Sequence, residues 1–390
     1  MKWRELMTNK DQQSPIGIMV CGHGSRDKGA EREFGRVAEG LKKRFPGIPV
    51  SYGFLEFSAP NIHMGINELL DQGVKDIYAV PGMLFAATHA KNDIPSVLTS
   101  YEEKQADVHV HYGNELGLHS AMIEAFQTRI YESLGIDPNA PPENLYDTML
   151  VVVGRGTSDT MANAEVAKLM RIVNENMGFG WADVVYSGVT YPSVGEGLER
   201  LSKLGFKKIV VAPYFLFTGR LIKRIYGYVD HVAKDLPEIE FIKTPYLNDH
   251  EKVIDAFEVR VRELMEGQDL PEDLMASFKR RLAAGEVDLH HHHSEFNPEL
   301  PDANNHENEH QGHSHGHSHD HSHGNDHSKD KEPTHSHGIY KHIGHPLGPR
   351  TMIGDGICSC FMRQFPQHIL DEETERLAKV TDEIPLAHQQ

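Results

Sequence analysis

The chain of 390 residues repeats itself at a shift of 132 positions. Val20-Cys21-Gly22-His23-Gly24-Ser25-Arg26-Asp27 is echoed by Val152-Val153-Gly154-Arg155-Gly156-Thr157-Ser158-Asp159. Gly22, Gly24 and Asp27 return as Gly154, Gly156 and Asp159, but His23 has become Arg155. The same shift lays Val80-Pro81 over Ala212-Pro213 and Gly65 over Gly197. Past the prolines, Phe85 to Ile94 lies over Phe217 to Ile225 when one residue is skipped, and His89 then falls on Arg220. A duplicated unit of this kind specifies one fold built twice. Two histidines in one copy face two arginines in the other. The first copy thus keeps candidate nitrogen ligands, and the second carries fixed positive charge that suits an anionic substrate.

Within each copy, short apolar runs alternate with longer stretches of helical period. Strands are expected at Ile16–Cys21, Val50–Leu55, Asp76–Val80 and Val108–Tyr112, with helices at 28–44, 62–70, 93–103 and 118–133. Pro138, Pro141 and Pro142 mark a linker. The pattern then restarts, with strands at Met149–Val153, 183–189, 208–212 and 239–243 and helices near 160–176, 194–204, 220–234 and 250–265. Such alternation implies α/β architecture: two tandem domains, each a parallel sheet flanked by helices. The expected divisions are an extension at 1–14, a first half at 15–137, a linker at 138–147 and a second half at 148–267. Residues 268–350 read as a low-complexity region that cannot bury a core, and 351–390 as a C-terminal segment with a helix at 370–380. Residues 290–345 hold 17 of the 27 histidines, centred on His313, His315, His317, His319, His321 and His323, which marks metal binding as a candidate role.

A formal charge of −18 argues against a nucleic-acid binder. No apolar run approaches the roughly 20 residues of a membrane span, and residues 1–14 lack a secretory signal's apolar stretch. Three cysteines do not make a disulfide framework, so a cytoplasmic protein is expected.

In an open parallel sheet, ligands bind beyond the carboxyl ends of the strands. His23, Glu56 and His89 follow the first, second and third strands there. Each has a plainer reading alone: His23 as an incidental member of an anion-binding glycine turn, His89 as a surface residue at a helix start, Glu56 as a solvated strand end. Together they deliver two imidazoles and a carboxylate to one sheet edge. Imidazole suits Co, Ni, Fe and Zn, and a carboxylate accepts protons.

These motifs, Gly22-His23-Gly24-Ser25 with Phe54-Leu55-Glu56-Phe57 and Ala86-Ala87-Thr88-His89, resemble the class II chelatases, and among them the long-form sirohydrochlorin cobaltochelatases of CbiX type. The resemblance covers about residues 15–265. It implies that His23 and His89 bind an incoming Co2+, that Glu56 lies in the cleft, and that the substrate is sirohydrochlorin, on the way to cobalamin. Ser25, Arg26, Arg155 and Arg220, with Lys223 and Arg224 nearby, are the candidates for gripping its carboxylates. The basic residues also read as solvated helix starts. Some long forms carry an iron–sulfur motif near the C-terminus, with two cysteines two residues apart. Here Cys358 and Cys360 are one residue apart. A cluster shared across a homodimer, a mobile metal or redox site, and no site at all stay open, since one chain falls short of four thiolates. No Walker run is present, and neither ATP nor NAD is implied. An iron or nickel chelatase, a metal-storage protein or metallochaperone, and a phosphotransfer enzyme built on the Gly-His-Gly-Ser turn are the other readings.

Overall fold

The computed structural model describes residues 15–188, 190–267 and 274–287, together with 368, 371, 372, 375, 376, 378 and 379. In the first half, β1 (Ile16–Gly22), α1 (Lys28–Arg44), β2 (Val50–Phe54), α2 (Ile62–Asp71) and β3 (Asp76–Pro81) lead to a π-helical turn (His89–Asp93). That turn runs into α3 (Ile94–Lys104), followed by β4 (His109–Tyr112) and α4 (Ser120–Leu134). The second half repeats the series with β5 (Leu145–Gly154), α5 (Thr160–Met177), β6 (Phe179–Tyr186) and α6 (Val194–Leu201). It continues with β7 (Lys208–Pro213), α7 (Arg220–Asp235), β8 (Glu240–Lys243) and α8 (Glu251–Glu266); α9 (Leu274–Ala283) comes after. The sheets run β2-β1-β3-β4 and β6-β5-β7-β8, with all pairs parallel.

Both central strands are apolar throughout their middle because helices cover both faces of each sheet. Asp27 and Asp159, the aspartates kept in the repeat, cap α1 and α5 by accepting backbone N–H bonds at the helix start. Their retention has a local structural cause. One hydrophobic core runs through both halves: Val20 and Phe34 share it with Val152, Tyr214 and Phe257. The closing helices make this continuity. α4 and α8 pack on each other, and each crosses over: α8 reaches α1 and β3, while α4 reaches α5 and β8. Phe126 of α4 meets Tyr214 edge-on at 5.1 Å, and the Tyr214 hydroxyl donates to the Gly117 carbonyl at 3.1 Å.

Three expectations change. β5 begins at Leu145, inside the segment read as linker, and β6 begins at Phe179 and ends at Tyr186. Exposed Tyr146, Asp147 and Trp181 break the apolar runs there, and an irregularity in the β5–β6 register falls between Leu145 and Met149. The segment assigned to low complexity holds α9, whose Met275 and Phe278 are buried in the first half's outer core. The described residues of 368–379 are helical, and Arg376 bonds both carboxylate oxygens of Glu199 at 2.9 and 2.8 Å while lying 2.7 Å from Glu196. Among the described residues no helix is long and apolar enough to cross a membrane.

Candidate functional site

His23 follows β1 and Glu56 lies two residues past β2, where the Glu56 N–H donates to the His23 carbonyl at 2.9 Å. Gly24 makes this approach feasible. Its φ is +97°, and a Cβ there would lie 1.7 Å from the Glu56 carbonyl oxygen. Phe57, next to Glu56, holds a left-handed φ of 62°, which is uncommon for a bulky residue and is typical of functional sites. His89 opens the π turn after β3. The order β2-β1-β3 places the switch point of the sheet between His23 and His89, where α/β ligand sites form.

The two imidazoles meet edge to face with ring centroids 4.5 Å apart. His23 Nδ1 lies 3.1 Å from the Gly24 carbonyl oxygen, and His89 Nδ1 lies 2.6 Å from Asp93 Oδ2. Both partners only accept, so each Nδ1 carries a proton, and in a neutral ring the lone pair is then on Nε2. Burial drives the His23 pKa down to about 3, helped by His89 and Arg155 and opposed by Glu56. His23 is therefore neutral across the physiological range. Among the described residues no group of three or more His, Cys, Asp or Glu side chains is placed to hold a metal ion. A two-imidazole site leaves coordination positions for water or substrate nitrogens.

Asp93 escaped the sequence reading. Its side chain is fully buried, and it stands four residues after His89, a spacing that brings side chains together on one helix face. The turn that carries the pair also explains the residue skipped in the repeat. Lys91 N bonds Ala87 O and Lys223 N bonds Gly219 O, which keeps the shift of 132. Past the turn the shift is 131: Gln105 bonds Tyr101 as Leu236 bonds Val232, and Leu116 bonds Met83 as Leu247 bonds Phe215. The extra residue thus sits inside 89–93, where Ile94 N reaches back five residues to His89 O. By this register Thr88, not His89, stands opposite Arg220, and His89 stands opposite Leu221. The pairing of His89 with Arg220 expected from the sequence is corrected accordingly. Glu56 is also lost from the second half, because Phe54 and Tyr186 hold equivalent registers and Gly188 takes its place.

The second half nevertheless completes the site. Arg155 comes close enough to His23 and Glu56 to shift the His23 pKa, and burial lowers its own pKa against the pull of Glu56. The residue is nonetheless exposed to solvent, so the cleft surrounds it without sealing it off. Two ion pairs related by the repeat tie the halves at this cleft: Lys91 with Asp159, and Lys223 with Asp27 at 2.7 Å. Arg220 is exposed at the start of α7, next to Gly219, where a Cβ would lie 3.8 Å from Ser25 Oγ. Arg224 is half-buried on the same helix. Ser25 Oγ accepts from Asp27 N at 3.1 Å, so it also shapes the turn. The Arg26 guanidinium lies 5.1 Å from the centre of the Phe57 ring, itself 6.2 Å from the His23 ring. Cys358, Cys360 and the histidines from His313 to His323 lie outside the described residues. A surface cavity of about 440 Å3, lined by Asp147, Phe206 and Lys208 among others, opens at the opposite end of the strands.

The CbiX family model matches residues 17–133 and again 149–264. The sirohydrochlorin cobaltochelatase of Priestia megaterium is 37% identical over 252 residues, 64% of this chain and 80% of that protein. The sirohydrochlorin ferrochelatase of Bacillus subtilis is 30% identical over 247 residues, 63% of this chain and 90% of that protein. SirB from Bacillus subtilis with Fe3+ superposes with a TM-score of 0.57 at 28% identity, covering 65% of this chain and 98% of that one. SirB of the subspecies spizizenii, in complex with cobalt, gives 0.55 at 26% identity, covering 65% and 97%. With its domain matched twice over most of the α/β body, the chain belongs to the CbiX family.

Proposed function

We propose that the protein inserts Co2+ into sirohydrochlorin without ATP, serving cobalamin synthesis in the cytoplasm. The carrying observation is the pair of imidazoles, His23 and His89, edge to face at 4.5 Å, with Nδ1 of each ring engaged by an oxygen acceptor and Nε2 left as the nitrogen to offer a metal. The cobaltochelatase relative, more similar than the ferrochelatase relative, favours cobalt. In this reading residues 15–137 form the catalytic half and 148–267 the degenerate half, with 138–147 as linker.

Metal entry into a tetrapyrrole releases two N–H protons while the four ring nitrogens replace the ion's water and imidazole ligands. His23 and His89 hold the incoming ion by nitrogen without neutralising it, which keeps it transferable to the ring nitrogens. Glu56, beside His23, accepts ring protons and passes them to water. Arg155 remains charged at the other wall and pairs with a carboxylate of the macrocycle, with Ser25, Arg26 and Arg220 at the cleft edge. The histidines at 313–323 act as a metal reserve, and Cys358 and Cys360 as an accessory metal or redox site.

The test is absorption spectroscopy of purified protein with sirohydrochlorin and Co2+, Fe2+ or Ni2+ in turn. Cobalt is expected to give the fastest spectral change. His23→Ala and His89→Ala are each expected to slow it by at least an order of magnitude with the melting curve unchanged. Wild-type rates in both variants would refute the site. Faster insertion of iron would move the protein to siroheme chemistry with the same residues.

A further inference from the structure

The extra residue of the π turn lies in the first half, and helix α9 packs on that same half. Helix α9 lies past both segments that the family model matches. It is built into the first half: Phe278 is fully buried, Lys279 pairs with Glu102 at 3.0 Å, and Met275 S accepts from the Thr99 hydroxyl at 3.8 Å. The same helix carries Arg281, which is only 8% exposed. Arg281 Nη2 donates to the Lys91 carbonyl and Nη1 to Asn92 Oδ1, both at 2.7 Å. Lys91 and Asn92 are the interior of the π turn, between His89 and Asp93.

A π turn widens the helical ladder and shifts the partners of its carbonyl groups, so a lone inserted residue persists only where other groups hold it. Arg281 does this from one side. On the other, the Tyr112 hydroxyl donates to the Ala90 carbonyl at 3.2 Å. We infer that Arg281 is a positioning residue: from a helix outside the family core, it holds the turn in the form that pairs His89 Nδ1 with Asp93 and presents Nε2 to the metal. A buried guanidinium that bonds the turn twice while its Nε holds the Ser277 carbonyl of its own helix has the planar, multi-donor geometry that this requires and that lysine lacks. The consequence for turnover rests on the chelatase reading above; the effect on the His89 ring does not.

The experiment uses the full chain with Arg281→Gln, Arg281→Lys and, on the same helix but off the turn, Lys279→Ala. Long-range 1H–15N spectra of the imidazoles, with His89 assigned by His89→Gln, read the tautomer directly. The wild type is expected to show His89 as the Nδ1–H form, and Arg281→Gln a mixture. At saturating Co2+, Arg281→Gln is expected to lower kcat about tenfold, as loss of a partner behind a metal ligand commonly does, with KM for sirohydrochlorin unchanged. Arg281→Lys should fall between, and Lys279→Ala should match the wild type in both readouts. An unaltered His89 ring in Arg281→Gln, or an equal loss of kcat in Lys279→Ala, would overturn the inference. If wild-type protein inserts no metal, the chelatase reading fails and the ring spectrum alone decides the role of Arg281.

Discussion

His23 is a histidine whose surroundings forbid its charged form, and that has a cost in acid. Burial first, then His89 and Arg155, bring its pKa to about 3 against an ordinary value of 6.5. Between those values the unfolded chain binds a proton that the folded chain does not. Stability therefore rises with pH across the window and is lost as pH falls through it. His23→Gln removes the titration, so the variant should gain on the wild type by on the order of 1–2 kcal/mol between pH 7 and pH 4.5. Urea unfolding at the two pH values measures this, and parallel losses in both proteins would contradict it. The histidines and Glu56 were legible in the sequence because each follows a strand in a recognisable motif. Asp93 was not, because an aspartate at a helix start usually reads as a cap or a solvated charge.

The π turn is the clearest difference between two otherwise matched helices. α7 runs from Arg220 without the insertion and packs on its sheet as α3 packs on the other. The ordinary α register is therefore compatible with this fold. Removing Ala90 should convert 89–93 to that register and rotate His89 by about 100° relative to the rest of α3, displacing its ring from the cleft. Insertion activity should fall at least a hundredfold while the far-ultraviolet circular dichroism and the cooperative melt persist. Retained activity would show that the turn does not place the histidine. A one-residue gap in an internal repeat pointed to this element, yet the gap alone cannot say where along the loop or helix the residue is absorbed.

Two closing helices bind the halves into one body. α8 covers α1 and β3 of the first half, with Val253, Phe257 and Val261 fully buried. Residues 15–137 alone would expose that surface, and burying such side chains contributes about 1.5–3 kcal/mol each. The isolated half is expected to lack a cooperative thermal transition, and residues 138–287 supplied in trans should restore it. A sharp melt of the half by itself would argue that the halves are autonomous. The histidine-rich stretch makes a separate demand on the whole chain. Deleting 290–345 should remove most bound metal per chain by titration and slow insertion when metal is scarce, while leaving the rate at saturating metal unchanged. Loss of activity at saturating metal would mean that the stretch belongs to the catalytic site.

The duplication, the parallel α/β architecture and the placing of His23, Glu56 and His89 after successive strands were determined locally. Apolar runs select strands, periodic stretches select helices, and Gly-His-Gly-Ser needs only its own neighbours to form a turn. Contacts between residues far apart in sequence lay beyond that logic. The exchange of α4 and α8, the approach of Arg155 to His23 and Glu56, and the grip of Arg281 on Lys91 and Asn92 join segments distant in sequence. No local pattern encodes such pairings, because burial rewards any complementary surface and only the packed chain selects which one it meets.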